Sequence, residues 1–539
     1  MLLFLKKVWV LSKPYWTSPD QKRALALVAA LLCLGFLLVR MQVLANTNTR
    51  LFYDALQNYK PHQAVHYALC YVGYIIIFAL CTTFSSYFGS TLLNRWRKWL
   101  SIYYLDKWVA DKAFYRLGVV RDGVDNPDQR ISDDIEQFTG TTLSLFNGLY
   151  GTSIQLVTFT FVLWHLSGTY HFIVHGLNLG IPGYLVWCAL AYASLNTLIT
   201  FWIGQKLTSL NYQQQRFNAD FRFGLVRLRE NAEQIAMQGG EQAEKAALIA
   251  TYQPIFTNFK ALIQVGCHLA FFTNTANYLS MMLGTLCALP KFMVEKMSVG
   301  DLMQISSAFS YVVTSLSFFM NAYAEIASWR AVVDRLSEFA LKIEAADVCG
   351  SQVQRQQNFL QAWVLTDLNV TLPNGHVLFS GYDQSFKKGE RVLIMGAYGS
   401  GKSSLLRTLA GIWPFASGLV ERPTGRHLFL SQKPYFPIGS LKAALCFPDS
   451  VDCYRDQDIE GALRALNLSR FEVNLADQGH WLQTLSLGEQ QMLSFVRALL
   501  IKPVYLFLDE ASSSLDETSE AFVYQCLARA LPETTIISI

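Results

Sequence analysis

Residues 391–410 read Arg-Val-Leu-Ile-Met-Gly-Ala-Tyr-Gly-Ser-Gly-Lys-Ser-Ser-Leu-Leu-Arg-Thr-Leu-Ala. The apolar run Arg391–Met395 predicts a short strand, and the run Leu405–Ala410 predicts a helix. The glycine-rich stretch between them carries the pattern GxxxxGKS, from Gly396 to Ser403, in the strand-to-helix context that a phosphate-binding loop requires. A glycine-rich turn with a chance Gly-Lys-Ser sequence is the alternative, and the flanking strand and helix argue against it.

This loop predicts a site for the phosphates of ATP. Glycines let successive backbone N–H groups curl around phosphate oxygens, and the helix N-terminus adds about half a positive charge. Lys402 is expected to reach the β- and γ-phosphates, and the hydroxyl of Ser403 is expected to ligate Mg²⁺. The residues expected to bind nucleotide in this loop are Gly396, Ala397, Tyr398, Gly399, Ser400, Gly401, Lys402, Ser403 and Ser404.

A pair of carboxylates follows a second apolar run further along the chain. Val504–Leu508 predicts a buried strand, and Asp509 and Glu510 come directly after it. A carboxylate at the end of a strand can hold Mg²⁺ through water, so Asp509 is a candidate metal ligand. Glu510 is placed to polarise an attacking water as general base. Taken alone, the pair is better interpreted as two solvated acids at the end of a strand, and the other motifs favour the catalytic interpretation.

The first two-thirds of the chain is strongly apolar. Hydrophobic residues make up 52% of the 539 residues and charged residues 16%. The apolar residues cluster in six stretches, each long enough to cross about 30 Å of hydrocarbon as a helix. The predicted spans are 24–46, 67–92, 144–166, 181–203, 261–286 and 298–326.

Basic residues alternate between the segments that flank these stretches. The N-terminal segment and the loops after the second and fourth stretches are rich in Lys and Arg, whereas the other loops are poor in them. The positive-inside rule therefore predicts a cytoplasmic N-terminus, and an even number of spans returns the ATP-binding half to the cytoplasm. The net charge of +4 is too small to indicate nucleic acid, and no nucleic-acid partner is expected.

Between the two phosphate-site motifs, Leu485–Gln491 reads Leu-Ser-Leu-Gly-Glu-Gln-Gln and leads into a predicted helix. This run resembles the signature sequence of ABC ATPases, usually written LSGGQ, with Leu487 in place of the first glycine. The resemblance implies that the signature faces a γ-phosphate bound by a second subunit, so that a second copy of the chain is needed. The residues implied to contact that nucleotide are Ser486, Gly488, Glu489 and Gln490.

Two further positions match the same family. Gln432 corresponds to the Q-loop glutamine, which the resemblance implies senses Mg²⁺ and water and contacts the membrane domain. Asp516, in Ser513–Asp516, corresponds to the D-loop. Five motifs in this order identify the second half of the chain as a member of the ABC ATPases, with ATP and Mg²⁺ as the implied cofactors.

The chain departs from the family pattern at two places. Leu372 occupies the position where many ABC ATPases stack an aromatic ring on adenine. The H-loop histidine is expected just after the strand predicted for Thr534–Ile539, where the sequence ends, and His480 precedes the signature. Truncation of the ATPase domain, with loss of its H-loop region, is the favoured interpretation. Impaired hydrolysis in a non-functional homologue is the alternative.

The membrane half resembles the SbmA/BacA-like permeases fused to an ABC ATPase. That branch is related to peroxisomal acyl-CoA half-transporters and to a mycobacterial cobalamin transporter. The resemblance implies a homodimer in a bacterial-type inner (plasma) membrane, with a peptide, corrinoid or acyl-CoA and fatty-acid class of substrate. A proton-gradient-driven permease with a regulatory or inactive ATPase domain is the alternative. The residues that carry this resemblance are Arg95–Arg97, Asp125–Ile131, Asp220–Arg222, Asn231–Ala236 and Gly239–Glu241.

The sequence thus predicts a multi-domain chain. Residues 1–335 are expected to form an α-helical transmembrane permease domain of six spans with long cytoplasmic extensions. Residues 336–361 are expected to be a linker, and residues 362–539 an α/β P-loop NTPase domain. Polar residues in spans five and six either line a translocation path or form hydrogen bonds between helices, and the sequence leaves these alternatives open.

Overall fold

The computed structural model describes residues 2–119, 126–174, 177–295, 297–318, 322–348, 352–358, 362–397 and 399–539. The chain divides into two compact units. The helical unit consists of Met1–Tyr104 and Asn126–Glu338, and the α/β unit of Leu105–Asp125 and Phe339–Ile539. Tyr398, one of the predicted nucleotide contacts, lies outside the described residues.

The first part of the chain is almost entirely helical. A short helical segment, Pro127–Gln129, and a π-helical turn, Arg130–Asp134, precede α5. The elements are α1 (Leu2–Trp16), α2 (Gln21–Gln57), α3 (Pro61–Val109), α4 (Ala113–Val119), α5 (Ile135–Ser167), β1 (Thr169–Val174), β2 (Leu177–Pro182), α6 (Tyr184–Glu230), α7 (Ala232–Met237), α8 (Glu241–Glu295), α9 (Val299–Leu316) and α10 (Tyr323–Val348).

Among the described residues, four helical segments are long and apolar enough to cross a membrane: Gln21–Gln57, Pro61–Val119, Tyr184–Glu230 and Glu241–Met293. At 1.5 Å per residue, the 47-residue α6 is about 70 Å long, more than twice the thickness of a bilayer core. A helix of this length is too long for the hydrocarbon alone, and the sequence prediction that such extensions are cytoplasmic remains a prediction. The predicted third and sixth spans lie on α5 and on α9–α10, which do not meet the same length and hydropathy criteria, and they remain predictions.

The segment after the third predicted span was expected to be a plain loop. It forms instead a β-hairpin, with β1 antiparallel to β2 and Thr169 opposite Pro182. The hairpin ends at Gly183, which has a left-handed φ of 65° and leads directly into α6. A substituted Cβ at Gly183 would lie 2.3 Å from the Trp164 ring, so both the backbone conformation and the close approach require glycine.

Polar residues of α9 bond neighbouring helices. Ser306 Oγ donates to the carbonyl of Met281 on α8 at 2.6 Å, and Ser315 Oγ donates to Gln155 on α5 at 3.1 Å. The amide of Asn46, on α2, donates to the α9 carbonyl of Gln304 at 3.2 Å. For these residues the structure supports interhelical hydrogen bonding, because a polar side chain buried between helices needs a partner.

Asp134, in the π-helical turn before α5, is a buried carboxylate. It accepts from Arg130 at 2.8 Å, and from Arg335 of α10 at 2.5 and 2.9 Å. Through these two arginines Asp134 connects the start of α5 to α10, since a buried charge is stable only when it is paired and hydrogen-bonded.

The α/β unit continues from α10. Its elements are β3 (Gln352–Asn358), β4 (Ala362–Thr371), β5 (Val377–Lys387), β6 (Arg391–Leu393), α11 (Lys402–Leu409), β7 (Ala416–Pro423), β8 (His427–Ser431), β9 (Gly439–Ser440), α12 (Leu441–Cys446), α13 (Asp456–Ala465), β10 (Gln478–Gly479), α14 (Trp481–Thr484), α15 (Leu487–Ile501), β11 (Tyr505–Asp509), α16 (Glu517–Ala530) and β12 (Thr535–Ser538). The segment predicted as a linker, 336–361, is helical up to Val348 and contains β3.

Two four-stranded sheets organise this unit. One has the order β6-β12-β11-β8 with all strands parallel, and its strands β11 and β12 are almost fully buried. The other has the order β3-β7-β4-β5, with β3 parallel to β7 and the other pairs antiparallel. In the parallel sheet the carboxyl ends of β6, β8 and β11 meet at one edge, which is where a ligand site is expected in such a fold.

The loop after the second predicted span belongs partly to the α/β unit. Lys112, just before α4, donates to the carbonyl of Ala410 at the end of α11 at 2.8 Å. Lys107 pairs with Glu344 of α10 at 3.3 Å. A cation at a helix C-terminus complements the helix dipole, so Lys112 stabilises the end of α11, the helix that follows the phosphate-binding loop.

Candidate nucleotide-binding site

The loop between β6 and α11 has the conformation that a phosphate-binding loop needs. Gly399 and Gly401 have left-handed φ values of 79° and 93°, and Gly401 is the N-cap of α11. A Cβ at Gly401 would lie 3.0 Å from the side chain of Leu378 on β5. Glycine at this position therefore meets two requirements, a left-handed backbone and close packing against a neighbouring strand.

Lys402, the first residue of α11, lies across the loop. Its Nζ donates to the carbonyls of Gly396 at 2.8 Å and Ala397 at 3.1 Å. The ammonium group is thereby held over the mouth of the loop, at the N-terminus of a helix, where anionic oxygens are favoured. Ser404, two residues after Lys402, is buried in the first turn of α11.

Ser403 and Asp509, which the sequence analysis proposed separately as Mg²⁺ ligands, lie next to each other in the structure. Ser403 Oγ donates to Asp509 Oδ1 at 2.8 Å across 106 residues of sequence. One hydroxyl and one carboxylate, beside a loop for phosphates, match the few protein oxygens with which Mg²⁺ is usually held. Among the described residues no cluster of three or more His, Cys, Asp or Glu side chains is suited to hold a metal.

Gln432 and Glu510 also meet. β8 ends at Ser431 and β11 at Asp509, and these two residues lie opposite each other in adjacent parallel strands. The residues that follow are therefore neighbours, and Gln432 Nε2 donates to Glu510 Oε2 at 3.0 Å. Glu510 has a left-handed φ of 50°, which is uncommon for a residue other than glycine and turns the chain sharply away from the strand.

The signature residues form the N-terminus of α15. Ser486 is the N-cap and makes a capping box with Glu489, whose Oε2 accepts from the Ser486 backbone N–H at 2.8 Å. The same carboxylate accepts the Ser486 hydroxyl at 2.8 Å and is also paired with Arg470. The Ser486 backbone N–H is the main cause of a lowered pKa for Glu489, so the cap is lost only as pH falls through that lowered value.

The next two signature residues have different surroundings. A Cβ at Gly488 would lie 3.3 Å from the carbonyl of Ser514, so this glycine permits the D-loop segment to approach the signature. Gln490 is buried and donates to the carbonyls of Leu482 at 3.1 Å and Leu485 at 2.8 Å. The amide of Gln490 therefore fixes the turn that enters the signature, and we do not retain it among the proposed nucleotide contacts.

Asp516 precedes α16 and is exposed. Hydrogen bonds from Ser519 and Thr518 lower the pKa of its carboxyl group, which is consequently ionised near neutral pH. Leu372, at the position where related ATPases carry an aromatic ring, is partly buried against the core of the second sheet. The described side chain of Leu372 offers no ring for stacking, as the sequence indicated.

Two buried polar residues of α15, Gln491 and Arg497, were not identified as important from the sequence. Gln491 is completely buried and bonds both Gln432 and Ser514. Arg497 is 6% exposed and donates to the carbonyls of Tyr435 at 2.6 Å and Ala444 at 2.7 Å. Burial lowers the pKa of Arg497 to about 10, so it remains charged at neutral pH. Polar residues at inward positions of an otherwise apolar helix were the signal available in the sequence.

Replacing Arg497 by methionine is expected to destabilise the α/β unit. The variant leaves the carbonyls of Tyr435 and Ala444 without their charged donor, at a cost of about 2–4 kcal/mol in the free energy of unfolding. Thermal unfolding of the purified protein measures the change. Arg464→Met is the matched control, because Arg464 is an exposed arginine paired with Glu472 at the surface. Equal midpoints for the two variants would contradict the structural role of Arg497.

The α/β unit has a parallel sheet with a glycine-rich loop and a serine–carboxylate pair at its carboxyl edge. The same chain contains a unit of long helices. Together these features define a P-loop ATPase joined to a membrane region. Comparison with known families agrees for both halves. Residues 11–293 match the family described as ABC transporter transmembrane region 2, and residues 379–513 match the family described as ABC transporter. The chain belongs to the ABC transporters, as an ATP-hydrolysing transporter with a fused membrane domain.

Similar proteins cover nearly the whole chain. An uncharacterized ABC transporter ATP-binding protein of Haemophilus influenzae is 33% identical over 99% of this chain and 89% of its own length. The inner membrane ABC transporter ATP-binding protein YddA of Escherichia coli is 30% identical over 100% of this chain and 95% of its own length. The human lysosomal cobalamin transporter ABCD4 is 26% identical over 95% of this chain and 88% of its own length.

Proposed function

We propose that two copies of this chain form a homodimer that couples ATP binding and hydrolysis to movement of a substrate across the inner membrane. The described residues of one chain include one phosphate-binding loop and one signature, so two chains supply two complete sites. In each site the nucleotide lies between Lys402 of one copy and Ser486 of the other. The observation that carries the proposal is the paired contact at one sheet edge: Ser403 with Asp509, and Gln432 with Glu510.

The residues have distinct roles in this site. Lys402 and the loop N–H groups bind the phosphates, while Ser403 and Asp509 hold Mg²⁺, which supplies positive charge to the β- and γ-phosphates. Glu510 accepts a proton from the attacking water as general base, and the Gln432 amide holds the Glu510 carboxylate in position. The signature end of α15, with Ser486 and Gly488, faces the γ-phosphate of the partner's nucleotide. Asp516 and the D-loop border the same interface.

Movement at the nucleotide is transmitted through the cytoplasmic loops. Lys112 donates a hydrogen bond to the end of α11, the helix that begins with Lys402. A shift of α11 therefore moves the loop that follows α3. This contact lies at the C-terminal end of α11, where the cation at position 112 meets the carbonyl of Ala410.

The location and substrate follow the relatives. The YddA protein is named as an inner membrane transporter and ABCD4 as a cobalamin transporter. By analogy with YddA we propose the inner (plasma) membrane as the location, and the distribution of Lys and Arg favours a cytoplasmic N-terminus and ATPase domain. A corrinoid substrate follows the name of ABCD4, and the family resemblance adds the peptide and the acyl-CoA and fatty-acid classes. The proposed domains are residues 1–335, 336–361 and 362–539.

Transport by the purified chain in sealed proteoliposomes tests this function. Vesicles are given a labelled corrinoid, peptide or acyl-CoA, with ATP on the side of the ATPase domain and with or without a proton gradient. ATP-dependent movement of one substrate class, unaffected by a protonophore, supports the proposal. Movement that needs the gradient and continues without ATP would show instead a proton-driven permease with a regulatory ATPase domain.

A further inference from the structure

Gln491 joins the two loops that flank the proposed hydrolytic centre. The residue lies on α15, one turn into the helix, and is completely buried. Its Nε2 donates to the backbone carbonyl of Gln432 at 2.9 Å and to Ser513 Oγ at 3.3 Å. Its Oε1 accepts from the backbone N–H of Ser514 at 2.9 Å. The amide nitrogen and the amide oxygen are thus both hydrogen-bonded, and together they contact the Q-loop and the D-loop.

The position of Gln432 depends on this anchor. Gln432 is exposed, and its side chain reaches Glu510 at 3.0 Å from the loop that follows β8. Glu510 is itself tied to the D-loop segment, because its carbonyl accepts from the backbone N–H of Ser513. A side chain on a surface loop is held precisely enough for catalysis only when its backbone is fixed, and a misplacement of about 1 Å can reduce a rate by about 100-fold.

We propose that Gln491 is a positioning residue for ATP hydrolysis, whose buried amide holds the Gln432 backbone against the Ser513–Ser514 segment and so sets the contact between Gln432 and Glu510. The inference rests on the function proposed above for Gln432 and Glu510. Because α15 begins at the signature, the same amide makes the signature helix, the Q-loop and the D-loop of one chain move together.

The chemistry of the amide yields a specific test. Replacement by glutamate keeps the shape and the acceptor for Ser514 N–H, but an ionised carboxylate cannot donate to the Gln432 carbonyl. A protonated glutamic acid can donate to it. Burial raises the pKa of a carboxyl group, so protonation falls within an accessible pH range. The described partners of the Gln491 side chain are a carbonyl, a hydroxyl and an N–H. The titratable group nearest along these bonds is Glu510, which Gln432 contacts.

The experiment measures kcat and KM for ATP with the purified full chain in lipid nanodiscs, from about pH 5.5 to about pH 8.5. Gln491→Glu and Gln491→Met are both expected to lower kcat at least tenfold at the alkaline end, with KM changed by less than about threefold. On acidification Gln491→Glu is expected to approach the wild type, whereas Gln491→Met is not. A kcat of Gln491→Glu that stays equal to the wild type, or a loss confined to KM, would overturn the proposal.

Ser494→Ala is the matched control. Ser494 lies on the same helix, is equally buried, and donates only to the Gln491 carbonyl of its own helix at 2.7 Å among the described contacts. Its kcat is expected to match the wild type at every pH. If Ser494→Ala loses kcat as strongly as Gln491→Met, the effect belongs to the packing of α15 and the proposal is overturned.

Hydrogen exchange supplies a readout that does not need turnover. The Ser514 N–H is expected to exchange slowly in the wild type and in Gln491→Glu, and at least tenfold faster in Gln491→Met. Equal exchange in all three proteins would overturn the proposal. Glu510→Gln, measured in parallel, separates the two claims: retained turnover in that variant removes Glu510 from its role, whereas the pH profile of Gln491→Glu concerns Gln491 alone.

Discussion

Replacing Lys402 by alanine is expected to weaken binding of Mg·ATP by about 10- to 100-fold. A hydrogen bond to a charged group contributes about 1.5–3 kcal/mol, and the Lys402 ammonium makes such bonds to the most highly charged part of the nucleotide. The variant removes only the bonds from Nζ to the exposed carbonyls of Gly396 and Ala397, so the fold of the α/β unit is expected to remain. Titration of the purified protein with a fluorescent ATP analogue measures the affinity.

Lys388→Ala is the control for that change. Lys388 lies in the turn between β5 and β6 and pairs at the surface with Glu533, away from the loop. Its affinity for the analogue is expected to equal that of the wild type. Equal affinities for Lys402→Ala and Lys388→Ala would mean that the phosphates do not lie against the loop between β6 and α11.

Replacing Glu510 by glutamine is expected to lower the turnover of ATP by at least about 100-fold while leaving its binding intact. Loss of a general base costs about 100- to 10,000-fold in rate, and the amide keeps the shape of the carboxylate. The oxygen of the new amide also still accepts the hydrogen bond from Gln432. Phosphate release by the purified protein, measured beside nucleotide affinity, separates turnover from binding.

Glu533→Gln serves as the control for that substitution. Glu533 is an exposed carboxylate in the turn before β12, paired only with Lys388 among the described ion pairs. Its turnover is expected to match the wild type. A Glu510→Gln variant that hydrolyses ATP within about threefold of this control would remove Glu510 from the role of general base.

Much of the ATP site was predictable because its residues follow short, local patterns. Gly396 to Ser403 lie between a strand and a helix, and Asp509 ends a buried strand, so the sheet edge brings them together. The contact between Gln432 and Glu510 follows from the same principle, once β8 and β11 are known to be neighbours. Strand order depends on tertiary packing, so the local sequence patterns did not predict it.

The remaining features depend on contacts between residues distant in sequence. Gln491 and Gln432 are 59 residues apart, and Asp134 and Arg335 are 201 apart, so no local pattern pairs them. Glu489 was interpreted as a nucleotide contact because it stands in the signature. Its carboxylate closes a capping box, which the pattern Ser-x-x-Glu also predicts, and its contact with nucleotide remains a prediction. The hairpin from Thr169 to Pro182 was missed because the segment was interpreted only as a connection between two predicted spans, although Leu177–Ile181 alternates apolar residues with Asn and Gly.

The most direct test of the shared site uses two variants that are each defective in a different half of it. Ser486→Arg blocks the signature, and Lys402→Ala disables the loop. Tagged heterodimers of the two variants are purified in detergent, with Glu510→Gln in both chains. If sites form between chains, each heterodimer contains one intact site, made of Lys402 from the Ser486→Arg chain and Ser486 from the Lys402→Ala chain. We expect about one Mg·ATP retained per heterodimer and none in either parent homodimer. Retention of nucleotide by the Ser486→Arg homodimer, or none by the heterodimer, would contradict a nucleotide held between two copies.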